Sequence, residues 1–240
     1  MTNAATEAAQ ARAARIAGAM YLITMATAVF NEFFVLRASV IVPGDATRTA
    51  QNIVEHERLF RVGIASDLVA FTGVVVLTLA LYVLLESVNK DLAMLAAFWR
   101  LAEVAILCVG TLAGSIVLAL LSGADYLKAF DAGQLHSLAR LALGARGAGY
   151  NVGLILFGLG STVFSYLLLR SGYVPKALAG WGVFSSLLVL TSAFWFIVFP
   201  STAKTPQLAS YAALFIYEVI LGSWLLLKGA RIQSSSASTA

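Results

Sequence analysis

The sequence predicts an all-α fold, a polytopic membrane bundle of six transmembrane helices with two short amphipathic helices in its loops. Two observations carry this. Six stretches are long and apolar enough to cross a bilayer, which takes about 20 residues of helix. Of the 240 residues, 60% are hydrophobic and 12% charged, against roughly 45–50% and 25% in soluble domains. The formal charge of +4 is dispersed over short segments. No basic run interleaved with aromatics points to nucleic acid.

The first span is expected at 16–36, behind Arg12 and Arg15. Ala26-Thr27-Ala28 looks like a signal-cleavage site, but apolar character resumes beyond Glu32 and outlasts an h-region of about 7–15 residues. An uncleaved first helix is therefore expected. Pro43-Gly44-Asp45 makes a turn, and 47–58 reads as a short amphipathic helix with Ala50, Ile53 and Val54 on its apolar side. The second and third spans follow at 62–85 and 92–121. In the next loop Asp131 can cap a second amphipathic helix, on which Leu135, Leu138, Ala139 and Leu143 share a face. The last three spans are 148–169, 178–199 and 208–227. Residues 1–15 form an N-terminal segment, 16–229 the membrane domain, and the Ser-rich 230–240 a disordered tail.

An even number of spans puts both termini on one side. The loops 86–91 and 170–177 are short, whereas 37–61 and 122–147 are long. The two long loops each end in an arginine, Arg61 and Arg146, with Asp67 or Asn151 soon after, a pattern that suggests a parallel repeat of hairpins. Arg12 and Arg15 flank the first helix, so cytoplasmic termini in the cell membrane are expected.

Four acids fall within or beside these spans: Glu32, Asp67, Glu103 and Glu218. A charge at the centre of a membrane helix costs about 2.5–3.5 kcal/mol on insertion scales, so such groups pair, face water or act. Arg100, Glu103, Leu107, Gly110 and Gly114 are spaced 3, 4, 3 and 4 and share one stripe of the third helix. Small residues admit a neighbouring helix and charges avoid lipid, so this face turns inward. Arg100 and Glu103 can also pair with one another, which leaves a structural role open. On the fourth helix Gly149, Gly153 and Gly160 mark one face, and Gly147, Asn151, Gly158 and Thr162 the opposite one. A helix smooth on two sides packs between two neighbours. Glu218 matches Arg100 and Glu103 in depth, predicting a central cluster. Glu32, Asp67 and Asn151 form an outer layer, where Arg37, Arg61 or Arg146 can answer the acids.

Several chemistries are unsupported. His56 and His136 lie in loops, Cys108 is the only cysteine, and HExxH, GxSxG and phosphate-cradling motifs are absent. No metal or cofactor is expected, and no membrane histidine stands ready as base for Ser161 or Ser185. Trp99, Trp181, Trp195 and Trp224 fit an interfacial belt.

Taken together, Arg15-Ile16-Ala17-Gly18 leading to Glu32, Ile41-Val42-Pro43-Gly44-Asp45, Phe60-Arg61 before Asp67, and Phe98-Trp99-Arg100-Leu101 form a recognisable set. Ser122-Gly123-Ala124-Asp125-Tyr126, Ser171-Gly172-Tyr173-Val174-Pro175 and Glu218 complete it. Over about 12–229 the chain resembles an uncharacterised bacterial membrane family, domain of unknown function 4386. The resemblance implies a six-helix integral membrane protein and supplies no activity. Asn151 departs from the acid expected there in relatives. Three functions stay open: binding or moving a small solute, cation or proton through the polar interior, intramembrane catalysis on a lipid-like substrate with Glu218 or Asp67 as acid–base, or a structural or regulatory role. The excess of acid favours a cation or coupled protonation.

Overall fold

A computed structural model describes residues 3–202 and 204–232. The chain forms α1 (Asn3–Val29), α2 (Ala46–Glu55), α3 (Glu57–Leu85), α4 (Lys90–Leu120), α5 (Ala132–Ser171), α6 (Lys176–Val198) and α7 (Lys204–Leu227). Two 3₁₀ turns, Asp125–Ala129 and Pro200–Thr202, complete the connections. Six of these helices are long and apolar enough to cross a membrane, and the chain is a multi-pass membrane protein. Large apolar side chains cover its outside, as on α4, where Val109, Leu112 and Ile116 are exposed. Such a surface suits lipid, not water.

The six long helices form a closed ring. Each packs on the next in the order α1, α3, α4, α5, α6, α7, and α7 returns to α1. The helix starts and ends define two faces. The terminal face holds the start of α1, the short connections 86–89 and 172–175, and the end of α7. The loop face holds the longer connections and α2.

Helix ends are fixed by local chemistry. Asp45 accepts from the Arg48 N–H at the start of α2, and Asn89 from the Leu92 N–H at the start of α4. Asp131 and Gln134 form a reciprocal capping box on α5. Gly172 ends α5 at φ 69°, a left-handed conformation that glycine adopts without a Cβ clash.

Three details differ from the expectation. The first span does not stop near residue 36: α1 passes into a π-helical segment, Phe30–Val40, closed by the Ile41 N–H donating to the Leu36 carbonyl five residues back. The helix after Asp131 is not separate. It is the first third of α5, which runs unbroken for 40 residues. Finally, α2 buries Thr49, Ala50 and Ile53 but leaves Val54 exposed. The two long connections that look alike in sequence therefore fold differently. At the other end, the Arg231 N–H donates to the Tyr173 carbonyl. Residues 233–240, the bulk of the expected disordered tail, lie outside the described residues.

The packing of the ring is lopsided. On the terminal half a dry core draws on all six long helices, with Ala14, Leu84, Ala96, Leu168, Ala179 and Leu221 almost wholly buried. Gln10 closes that end, donating to Ser87 Oγ at 2.7 Å and to the Leu84 carbonyl at 3.3 Å, while Ser87 and Tyr173 exchange a further hydrogen bond. On the loop half, among the described residues, one apolar cluster joins the π-helical segment, α2, α3, α4 and α5, and a smaller one joins α5 and α6.

Candidate functional site

Helix α5 carries out the two-sided packing that its glycines foretell. Gly153 lies against Leu107 and Gly160 against Ala96 and Arg100, all on α4, while Gly158 lies against Leu190 on α6. At Gly160 a Cβ would stand 2.8 Å from Arg100 Cγ. The missing side chain is thus what lets the arginine stem cross α5. The guanidinium then reaches the Phe157 ring, 4.5 Å from its centroid.

Arg100 and Glu103 are both buried. Arg100 Nη1 and Glu103 Oε2 are 2.7 Å apart, at an angle that makes no directed hydrogen bond. Glu218, across the ring on α7, lies within electrostatic reach of both. The three residues expected to form a central cluster lie within electrostatic reach of one another, but among the described residues no hydrogen bond or ion pair joins Glu218 to the other two. Their relations are thus unequal. Glu218 is only half-buried, and its carboxylate has no hydrogen-bond or ion-pair partner among the described residues.

The outer residues arrange themselves in pairs. Asp67 on α3 accepts from Asn31 Nδ2 at 2.5 Å and from Arg146 Nη2 at 2.6 Å. This pair joins α3 to α5 past α4, where Gly110 leaves room for the Arg146 stem. Glu32 pairs with Arg37 at 2.7 Å, five residues away and on the same side of the wide π-helical turn. Arg61 turns instead to Glu57. Asn151 accepts from Gln207 Nε2 at 2.9 Å and donates to the Gly147 carbonyl. Of the expected outer residues, Glu32 and Asp67 thus hold bases, and Asn151 ties α5 to α7.

Between the two layers lie tyrosines. Tyr150 on α5 lies within electrostatic reach of Tyr211, Glu32 and Glu103 on three other elements and of Arg146 one turn back on its own helix. It is nevertheless 47% accessible. Below Glu218, Tyr21 packs on Gly222, and the buried Tyr217 hydroxyl shares a 2.9 Å hydrogen bond with Ser165. Polar side chains thus occur at several levels between the loop face and the apolar core of the terminal half.

A family described as "Domain of unknown function (DUF4386)" matches residues 16–229. The chain belongs to this family. The match spans all six long helices of this DUF4386 protein, so the ring and its polar interior lie within the family's region. No curated protein and no solved structure matches the chain.

Sequence reasoning missed Tyr21, Ser165, Tyr217 and Gln207. For Gln207 a signal existed: Gln207, Tyr211, Leu214 and Glu218 are spaced 4, 3 and 4, one face of a helix. Tyr21 had a weaker one, standing three residues beyond Gly18, which packs against Leu226 of α7. Trp181 and Trp195 donate to the Ala213 carbonyl and Thr202 Oγ1, and Trp224 has Lys228 4.5 Å from its ring. No cluster of three potential metal-ligating side chains occurs among the described residues.

Proposed function

We propose that the protein binds a small polar solute or ion inside the helical ring and moves it along its polar side chains, entering from the loop face. Arg100, Glu103 and Glu218 would form the inner site, with Glu32, Asp67 and Asn151 at its mouth. One observation carries this reading. Tyr150 is accessible although Tyr211, Glu32 and Glu103, on three other elements, lie within its electrostatic reach, whereas an apolar core fills the terminal half of the ring. A polar, one-ended interior in a membrane protein suits a ligand that must be held away from lipid.

A packing role is the second reading, and the ion pairs of Glu32, Asp67 and Glu103 favour it for those three acids. Glu218 stands apart from it, since an acid without a base contributes nothing to packing. Orientation is part of the proposal: the terminal face, with Arg12 and Arg15 beside the first span, is placed in the cytoplasm.

Cysteine labelling tests the reading. Cys108 is first replaced by alanine, and single cysteines are placed at Tyr150 and Leu221. A membrane-impermeant thiol reagent added to intact cells is expected to label Tyr150→Cys and to leave Leu221→Cys unreacted. Equal inertness of both, in permeabilised cells as well, overturns the open interior. Labelling of Tyr150→Cys only after permeabilisation reverses the orientation.

A further inference from the structure

We infer that the ligand is a small protonated amine and that Glu218 receives its charge, an inference resting on the reading of an interior that admits a solute. It starts from how the charges are answered. Glu32 holds Arg37, Asp67 holds Arg146, and Glu103 holds Arg100, each at 2.6–2.7 Å. Glu218 is the acid left over in the interior among the described residues. It stands on the stripe of α7 that carries Gln207, Tyr211 and Leu214, within electrostatic reach of Arg100. A single carboxylate at the inner end of the path complements a single positive charge.

The backbone then selects the kind of cation. A bare metal ion must replace its hydration shell with several oxygens, and membrane transporters supply these from unwound helices whose carbonyls are free. Here α1 at Tyr21, α4 at Glu103 and α7 at Glu218 are continuous α-helix. Their carbonyls are engaged within the helices, and no group of metal-ligating side chains stands among the described residues. An ammonium group has no such demand. It brings its own donors to one carboxylate and is attracted by aromatic faces. Such faces are at hand along the approach, at Tyr211 and Tyr150. The substituent carbons of an amine would lie against Leu214, which packs on both neighbouring apolar clusters.

The test is thermal unfolding of the purified full-length protein in detergent, with ethylammonium chloride, potassium chloride or sodium acetate at matched ionic strength. The expected result is a saturable rise of Tm by several degrees with ethylammonium alone, because a ligand that binds only the folded state stabilises it. The rise should vanish in Glu218→Gln and persist in Glu57→Gln, an exposed partner of Arg61 outside the proposed site. If Glu218→Gln does not purify as a monodisperse protein, Glu218→Asp replaces it, and a midpoint shifted to at least several-fold higher ethylammonium is expected. Equal stabilisation by potassium, stabilisation by acetate instead, an undiminished rise in Glu218→Gln, or an unshifted midpoint in Glu218→Asp overturns the assignment. So does the absence of any rise. In each of those cases, continued labelling of Tyr150→Cys leaves the open interior standing, and loss of that labelling removes both.

Discussion

Replacing Arg100 by glutamine separates the paired charges of the interior from the unpaired one. Arg100 is buried, lies 2.7 Å from Glu103 and sits 4.5 Å over Phe157. Removing one member of a buried pair leaves its partner as an uncompensated charge, at a cost of about 3–5 kcal/mol. The lost cation–ring contact is worth about 0.5–2 kcal/mol, though the two effects share atoms and do not add in full. Taking about 3 kcal/mol as the lower bound, and roughly 2–4 °C per kcal/mol for a chain of this size, Tm should fall by about 6–12 °C or more. Glu218→Gln removes an acid that has no direct partner, and should change Tm by no more than about 2 °C in either direction. The assay is thermal unfolding in detergent, followed by fluorescence of the native tryptophans. Equal large losses in both variants would refute the reasoning, since Glu218 would then be a structural partner of Arg100.

Other substitutions probe the same geometry, each by the same unfolding measurement. Gly160→Ala forces a Cβ to within 2.8 Å of Arg100 Cγ and 3.0 Å of the Ala96 carbonyl. Overpacking of about 1–3 kcal/mol should therefore outweigh a helix-propensity gain of about 1 kcal/mol. Gly144→Ala meets open space and should stabilise by up to about 1 kcal/mol. Asp67→Asn weakens the contacts to Asn31 and Arg146 together and should lose about 1–3 kcal/mol. Glu32→Gln breaks a pair whose side chains are 61% and 46% exposed, and should cost less than about 1 kcal/mol. Tyr217→Phe deletes the hydrogen bond to Ser165 and should cost about 0.5–1.5 kcal/mol.

The six spans were legible because hydrocarbon thickness sets a length that composition alone reveals. The inward stripe of Arg100, Glu103 and Gly114 was legible for a related reason: in an unbroken α-helix, spacing fixes direction. That logic fails at the end of the first span. Among the buried residues, Asn31 and Leu36, and Val35 and Val40, stand five apart, which suits a wider turn than the α-helix. No residue type announces that widening, so the pairing of Glu32 with Arg37 on one side was only one option among several. The length of α5 was hidden differently. Gly144 and Gly147 fall in the expected loop and Gly149 at the start of the expected span, yet the helix passes through all three, with no neighbour within 4 Å of a Cβ at any of them. Asp67 had three candidate bases in the sequence. Only the ring, which brings α3 beside α5 at the loop face, selects Arg146.

The length of α5 also has a mechanical side. At 1.5 Å per residue its 40 residues make a rod of about 60 Å, roughly twice the hydrocarbon thickness of a bilayer. Gly160, where α5 presses closest on Arg100, is a natural fulcrum, and Ala132 lies about 42 Å from it along the axis. A rock of only about 10° there would swing the far end by roughly 7 Å while scarcely displacing the residues beside Arg100. Arg146, about 21 Å from the fulcrum, would travel roughly half as far, enough to pull it off Asp67. A long arm on a fixed pivot would turn a slight adjustment at mid-membrane into the parting of an ion pair at the mouth.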